Sequence, residues 1–179
     1  MKIEEENLSK HNLTLIDKWV EIIGGKLSYL YFFIVFISFY EIIARYLFNN
    51  PTDWVHESSI ALAGFLMIYA GLFSYGRNKH IKVPILLNKV SPKLKNILEM
   101  FANIITLIYL GLLSYASYFI AKSAAFSPSG DLMLERSGSA WNPPFAGLLK
   151  VSLFILFIIF FIQVICKLQK HFHYYNKGE

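Results

Sequence analysis

A glutamate and an arginine, Glu41 and Arg45, stand four positions apart inside a long apolar stretch. Residues at this spacing share one helix face and can form an ion pair. Charged side chains are expensive inside a membrane-spanning segment, so they mark either a structural contact or a path for a charged substrate or ion. The next two apolar stretches carry no charged residue at their middle. This favours a structural pair that fixes one helix against a neighbour.

Aromatic residues and a second carboxylate follow this pair. Beyond the turn at residues 49–51, Trp54 and Glu57 open the next apolar stretch, and Tyr46 and Trp141 lie at the same predicted membrane boundary. Tryptophan and tyrosine are typical of membrane interfaces, although Trp54 could also wedge against a partner. Glu57 either caps its helix or meets a basic group of another chain.

The sequence does not predict a cofactor, a metal site or an enzyme. Haem in a membrane bundle needs facing pairs of histidines within the spans. Here three histidines lie in the polar ends and two at opposite ends of one span: His11, His56, His80, His171 and His173. No zinc-type histidine or cysteine spacing, phosphate-binding glycine loop or nucleophile motif occurs, and the single cysteine, Cys166, excludes an intramolecular disulfide.

Composition indicates an integral membrane protein. The chain is 55% apolar and only 16% charged, with a mean hydropathy of +0.46, whereas soluble domains carry about 25% charged residues. The net charge of +5 comes from basic residues at the ends of apolar stretches. Such residues anchor and orient helices, so membrane lipids rather than nucleic acid are the expected anionic partner.

The predicted fold is an all-α bundle of four transmembrane helices. The apolar stretches are long enough to cross a bilayer, which takes about 20 residues, and they lie at about 27–48, 58–75, 97–121 and 146–166. The leader, residues 1–26, contains a short amphipathic helix that either lies in the membrane interface or packs on a neighbouring chain. Gly24 and Gly25 then form a predicted hinge. Residues 167–179 make a basic tail.

Small residues line one face of the second span. Gly64 and Gly71 are one heptad apart and should let another helix approach closely. A basic segment that includes Arg77 and His80 follows this span.

The basic residues predict the orientation of the bundle. Lysine and arginine number four in the leader, six in the loop between spans two and three, and three in the tail, against none and two in the other loops. The positive-inside rule therefore places both termini in the cytoplasm.

Three motifs and their order resemble the small membrane subunit of tripartite ATP-independent periplasmic (TRAP) transporters, the DctQ-like family. The first is Ala-Arg-Tyr-Leu-Phe at 44–48, followed by Pro51, Trp54 and Glu57. The others are Gly-Arg-Asn-Lys-His-Ile-Lys-Val at 76–83 and Trp-Asn-Pro-Pro at 141–144. The resemblance extends over most of the chain, from residue 19 to 166. One departure is Pro84, where the family often has an acidic residue.

The resemblance implies a non-catalytic accessory subunit in the inner membrane of a bacterium. Such a subunit braces a large multi-span subunit that carries the substrate and sodium sites, and it could help to dock a periplasmic substrate-binding protein. The implied substrates are organic acids, such as C4-dicarboxylates or sialic acid, taken up with sodium. The alternative is a four-span anchor for a redox or enzyme complex, which interior histidines would favour. A self-sufficient channel or exporter would need a polar face through several spans.

Overall fold

The computed structural model describes residues 14–77 and 92–177, without the side chains of residues 92, 93, 95, 96 and 170–177. It contains four helices: α1 (Leu15–Tyr46), α2 (Asp53–Gly76), α3 (Pro92–Ala125) and α4 (Phe145–Lys177). Each helix is long and apolar enough to cross a membrane. The predicted all-α fold with four spans is therefore confirmed.

Helix α1 begins at a capping box. The Thr14 hydroxyl accepts a hydrogen bond from the Asp17 amide (3.2 Å), and the Asp17 carboxylate accepts one from the Thr14 amide (2.7 Å). Together these bonds satisfy two amides that the start of a helix otherwise leaves unpaired. The helix start is thus encoded by two residues that lie in the predicted leader.

The prediction of a hinge at Gly24 and Gly25 is wrong, because α1 runs through both positions without a break. Tertiary contacts outweigh the low helix propensity of glycine here, a penalty of about 1 kcal/mol per residue. The Tyr69 hydroxyl donates to the Val20 carbonyl (2.8 Å), and a Cβ at Gly24 would lie 2.6 Å from the Phe73 ring. Helix α2 therefore holds this part of α1 in place.

Helix α1 is 32 residues long, or about 48 Å at 1.5 Å per residue. The hydrocarbon core of a bilayer is only about 30 Å thick. The predicted amphipathic segment is accordingly the first part of α1 rather than a separate helix.

A tight turn ends α1 and aims the chain into α2. Asn49 has a positive φ of 50°, a conformation that asparagine tolerates better than most residues. The Asn50 amide then donates back to the Ala44 carbonyl (2.9 Å). Thr52 takes the N-cap position of α2 in an extended conformation.

The helices pack in the order α1, α2, α4, α3. Within the described residues, the extensive helix pairings are α1 with α2, α2 with α4, and α4 with α3. Helices α2 and α4 therefore form the centre, and their buried side chains make most of the core: Tyr69, Leu72, Tyr75, Leu156, Phe160, Val164 and Leu168. Helices α1 and α3 stand at the two ends of this row and leave much of their apolar surface exposed.

The loop between α3 and α4 is fastened to both helices. The Glu135 amide donates to the Ala124 carbonyl (2.7 Å), and the Gly147 amide donates to the Glu135 carbonyl (3.0 Å). A Cβ at Gly147 would lie 2.8 Å from the Glu135 nitrogen, so this approach requires glycine. The Lys150 ammonium also binds the Glu135 carboxylate (2.5 Å).

Candidate functional site

The Glu41 carboxylate joins α1 to the start of α2. Its Oε1 accepts hydrogen bonds from Nη2 (2.7 Å) and Nε (3.1 Å) of Arg45. Its Oε2 accepts bonds from the Thr52 amide (3.1 Å) and from the Thr52 hydroxyl. The predicted pair thus forms within the chain, and the same carboxylate holds the N-cap residue of the next helix. Thr52 was missed by the sequence analysis because its link to Glu41 crosses the turn.

Arg45 has a second face that remains open. Its side chain is 51% exposed, whereas that of Glu41 is 13% exposed. Since Glu41 neutralises the guanidinium from one side only, the other side is accessible to a partner chain or a lipid headgroup. The pair therefore combines a structural contact with a charged group at the surface.

The aromatic residues of the predicted boundary are partly exposed. Trp54 packs its ring 5.9 Å from that of Tyr40, and Trp141 meets Phe145 edge to face at 5.3 Å. Tyr46 lies at the end of α1 with most of its surface exposed. The two tryptophans are thus oriented by neighbouring rings.

Glu57 lies one turn inside α2. Its Oε2 is buried and has no hydrogen-bond partner among the described residues. An unpaired buried carboxylate oxygen is costly. Both predicted roles of Glu57, as a helix cap or as a partner for a basic group of another chain, stay predictions.

Gly64 and Gly71 face α4 within the chain. A Cβ at Gly64 would lie 3.2 Å from the Leu149 side chain, and one at Gly71 would lie 3.8 Å from the Phe160 ring. The predicted small-residue face therefore brings α2 and α4 together, and the helix that approaches belongs to this chain.

Arg77 links the C-terminal end of α2 to α1. Its Nη2 lies 2.6 Å from Oε1 of Glu21, and its guanidinium stands 4.9 Å from the centre of the Phe73 ring. His80, the other residue predicted in this segment, lies outside the described residues.

A buried polar junction near the start of α1 was not predicted. Gln163 of α4 is fully buried, and its Nε2 donates to Oδ1 of Asp17 (2.6 Å) and to the Leu72 carbonyl (3.3 Å). Three helices therefore meet at one amide. The signal in the sequence was Gln163 itself, an uncharged polar residue inside the most apolar span.

Neighbouring contacts extend this junction to the fourth helix. The Tyr75 hydroxyl donates to Oδ1 of Asn103 on α3 (3.0 Å). The Lys167 ammonium donates to the Tyr75 carbonyl (2.8 Å) and stands 4.3 Å from the centre of its ring. The arrangement fixes helices relative to one another by bonds between side chains and carbonyls.

The contacts around Glu41 and around Asp17 act as structural crosslinks between segments of the chain. Across residues 14–77 and 92–177, no group of three or more histidine, cysteine, aspartate or glutamate side chains is arranged to hold a metal ion. The carboxylates of Glu41 and Asp17 are engaged by donors from neighbouring helices or turns.

Comparison with known proteins identifies the family. No curated protein matches the sequence. The family model described as the DctQ component of tripartite ATP-independent periplasmic transporters matches residues 34–173, which include the Glu41–Arg45 pair, all of α2 and α3, and most of α4. The match covers more than half of the chain, so this four-helix membrane protein belongs to the DctQ family of TRAP transporter components and is a transport subunit rather than an enzyme.

Proposed function

We propose that this chain is the static brace of a sodium-coupled importer that takes organic acids, such as C4-dicarboxylates or sialic acid, from a periplasmic binding protein. In this role it holds the large membrane subunit in position while that subunit moves the substrate. The membership in the DctQ family carries the proposal. The alternative of a redox or enzyme anchor has no observation in its favour.

Polar bonds between helices support a rigid role. Each adjacent pair in the row α1, α2, α4 has at least one buried or partly buried hydrogen bond between its members, and a bond from Tyr75 reaches α3. Separating the helices in an apolar medium costs free energy, because no water is present there to replace the broken hydrogen bonds. A bundle joined in this way suits a scaffold better than a moving carrier.

The surface at the turn between α1 and α2 supports a role in docking. Arg45 is half-exposed, and Trp54 is partly exposed. In the orientation that the positive-inside rule favours, this end of the bundle faces the periplasm. Arginine and tryptophan are enriched among the residues that contribute most to binding at protein contact surfaces.

Reconstitution tests the proposal. The tagged chain is purified in mild detergent with whatever large membrane protein accompanies it, and the complex is placed in liposomes with the binding protein and a labelled organic acid. We expect uptake that needs an inward sodium gradient, the binding protein and this chain together. Equal uptake by liposomes that contain the large subunit without this chain would refute the role as a brace.

A further inference from the structure

The first part of α1 separates its charges between two faces. Its two carboxylates are engaged within the chain: Asp17 is 3% exposed and accepts a hydrogen bond from α4, and Glu21 pairs with Arg77. Its two lysines, Lys18 and Lys26, are exposed and make no ion pair or hydrogen bond with any of the described residues. The outward face of this segment therefore carries positive charge alone.

Apolar side chains fill the space between the two lysines. Four large residues on this face are between 44% and 77% exposed: Leu15, Trp19, Ile22 and Ile23. Residues three or four positions apart are neighbours on a helix surface, so each lysine adjoins this group. We call the four apolar residues and the two lysines the α1 stripe. Lysine beside tryptophan and aliphatic residues is typical of helix faces that bind the membrane interface.

The ends of α2 place the α1 stripe at the membrane surface. Helix α2 is 24 residues long, or about 36 Å at 1.5 Å per residue, so it crosses the hydrocarbon core of about 30 Å and reaches the headgroups at both ends. Arg77 directly follows α2 and lies 2.6 Å from Glu21, which sets this part of α1 at headgroup depth. Trp19 lies about 3 Å further out along the helix axis, and tryptophan is enriched at that depth.

Lys26 requires an anion at this surface. It lies about 7.5 Å closer to the membrane centre than Glu21 along the helix axis. The Cα–Cβ bonds of a helix tilt toward its N-terminus, which for α1 is this membrane surface, so the side chain extends toward the headgroups. A charged group so close to the hydrocarbon is costly unless it meets an opposite charge. Phospholipid phosphates are the anions at that depth.

The opposite end of α1 differs in this respect. There the Arg45 guanidinium lies 2.7 Å from the Glu41 carboxylate, so the cation is neutralised within the chain. The inner face of the segment that carries the stripe is also occupied, because the Tyr69 hydroxyl of α2 donates to the Val20 carbonyl (2.8 Å). The described part of the chain therefore covers one face of this segment and leaves the cationic face outward.

We propose that the α1 stripe binds anionic phospholipids in the leaflet at this end of the bundle. Lys18 and Lys26 contact the lipid phosphates, and Trp19 with its aliphatic neighbours lies among the first carbons of the acyl chains. The opposite face of the same segment is crosslinked to α2 and α4, so lipid binding fixes this end of the bundle to the membrane surface. The proposal goes beyond the proposed function and depends neither on the large subunit nor on the transported acid.

Fluorescence quenching in vesicles of defined composition tests the site. The chain has three tryptophans, so the double variant Trp54→Phe, Trp141→Phe leaves Trp19 as the reporter. The full chain is reconstituted into equimolar phosphatidylcholine and phosphatidylglycerol, with bromine on the upper acyl carbons of one lipid or the other. We expect stronger quenching by the brominated phosphatidylglycerol, with a preference of up to about fivefold per lysine. Equal quenching by the two lipids, or none by either, would overturn the proposal.

Lysine substitutions in the same vesicles test the charges. Replacing both lysines, Lys18→Gln and Lys26→Gln, should remove the preference while Trp19 stays quenched, and Lys26→Arg should retain it. Lys122→Gln is the matched control, because Lys122 is an exposed lysine in the last turn of α3, at the other end of the bundle, and it should leave the preference unchanged. Since Lys18 and Lys26 are exposed and make no polar contact with the described residues, the substitutions leave the described polar contacts intact. A preference that persists without the two lysines would contradict the proposal.

Photo-crosslinking in native membranes distinguishes lipid from a protein partner. A p-benzoylphenylalanine replaces Trp19 in the full chain, and the purified product is weighed by mass spectrometry after illumination. We expect adducts whose added mass is that of a phospholipid. An adduct with a larger membrane protein or with a second copy of this chain, or the absence of any lipid adduct, would show that the stripe is not a lipid site.

Discussion

Replacing Gln163 by leucine should loosen the junction that joins α1 to the rest of the bundle. The Gln163 amide is fully buried and is the donor that connects the Asp17 carboxylate to α4. Leucine has a similar volume and fits an apolar span, so the change removes hydrogen bonds without opening a large cavity. The Asp17 oxygen that faces α4 is then left with no donor from that helix.

The magnitude follows from the bonds that are lost. A hydrogen bond to a charged group contributes about 1.5–3 kcal/mol. Part of this loss is offset because the substitution also removes the Gln163 Oε1, which is buried and has no hydrogen-bond partner among the described residues. We therefore expect a loss of about 1–2 kcal/mol in the free energy of unfolding. For a chain of this size, this corresponds to a fall in Tm of roughly 2–8 °C.

Thermal unfolding of the purified chain in one detergent measures this difference. Gln169→Leu is the matched control, because Gln169 is an exposed glutamine on the same helix, and it should change the free energy by less than about 0.5 kcal/mol. A double-mutant cycle with Asp17→Ala separates the contact from the loss of the helix cap. The reasoning is refuted if Gln163→Leu is as stable as Gln169→Leu, or if the two substitutions of the cycle are simply additive.

Three further predictions concern the contacts of α2. Glu41→Ala should lower the Tm of the purified chain more than Arg45→Ala, because Glu41 also accepts the bonds from the residue that begins α2; the opposite ranking would contradict this. Gly71→Ala should raise stability by up to about 1 kcal/mol through helix propensity, since the new methyl group has ordinary contact space at 3.8 Å, and Gly64→Ala should gain less because its methyl group would stand only 3.2 Å from a leucine of α4. Arg77→Ala should cost less than about 1 kcal/mol, as expected of a surface ion pair, and the difference from wild type should shrink at high salt.

The number of helices and their approximate positions follow from the sequence, because the length of an apolar stretch by itself decides whether a helix can cross a bilayer. The Glu41–Arg45 contact is also local, since a spacing of four on a helix brings two side chains together whatever lies around them. The close approach at Gly64 and Gly71 was predicted as well, but the sequence left open whether the approaching helix belongs to this chain or to a partner.

Contacts between distant segments were decided by the tertiary structure alone. Asp17 lies in the leader segment that was predicted to form an amphipathic helix, yet it is buried and accepts a hydrogen bond from Gln163, 146 positions along the chain. The hinge predicted at Gly24 is absent because Phe73 of α2 packs against it. Such contacts depend on how each helix is rotated about its axis and which helix lies beside it, and periodicity within one segment does not carry that information.

The order of the helices in the row is the clearest example of a feature that only the tertiary structure decides. The sequence predicts four apolar helices of similar character, and nothing in their local pattern states that α4 comes to lie between α2 and α3. That arrangement is set by the fit of small and large side chains across each contact, together with the polar bonds that are satisfied only when the right helices meet. Among the described residues, it leaves much of the apolar surface of α1 and α3 exposed at the two ends of the row.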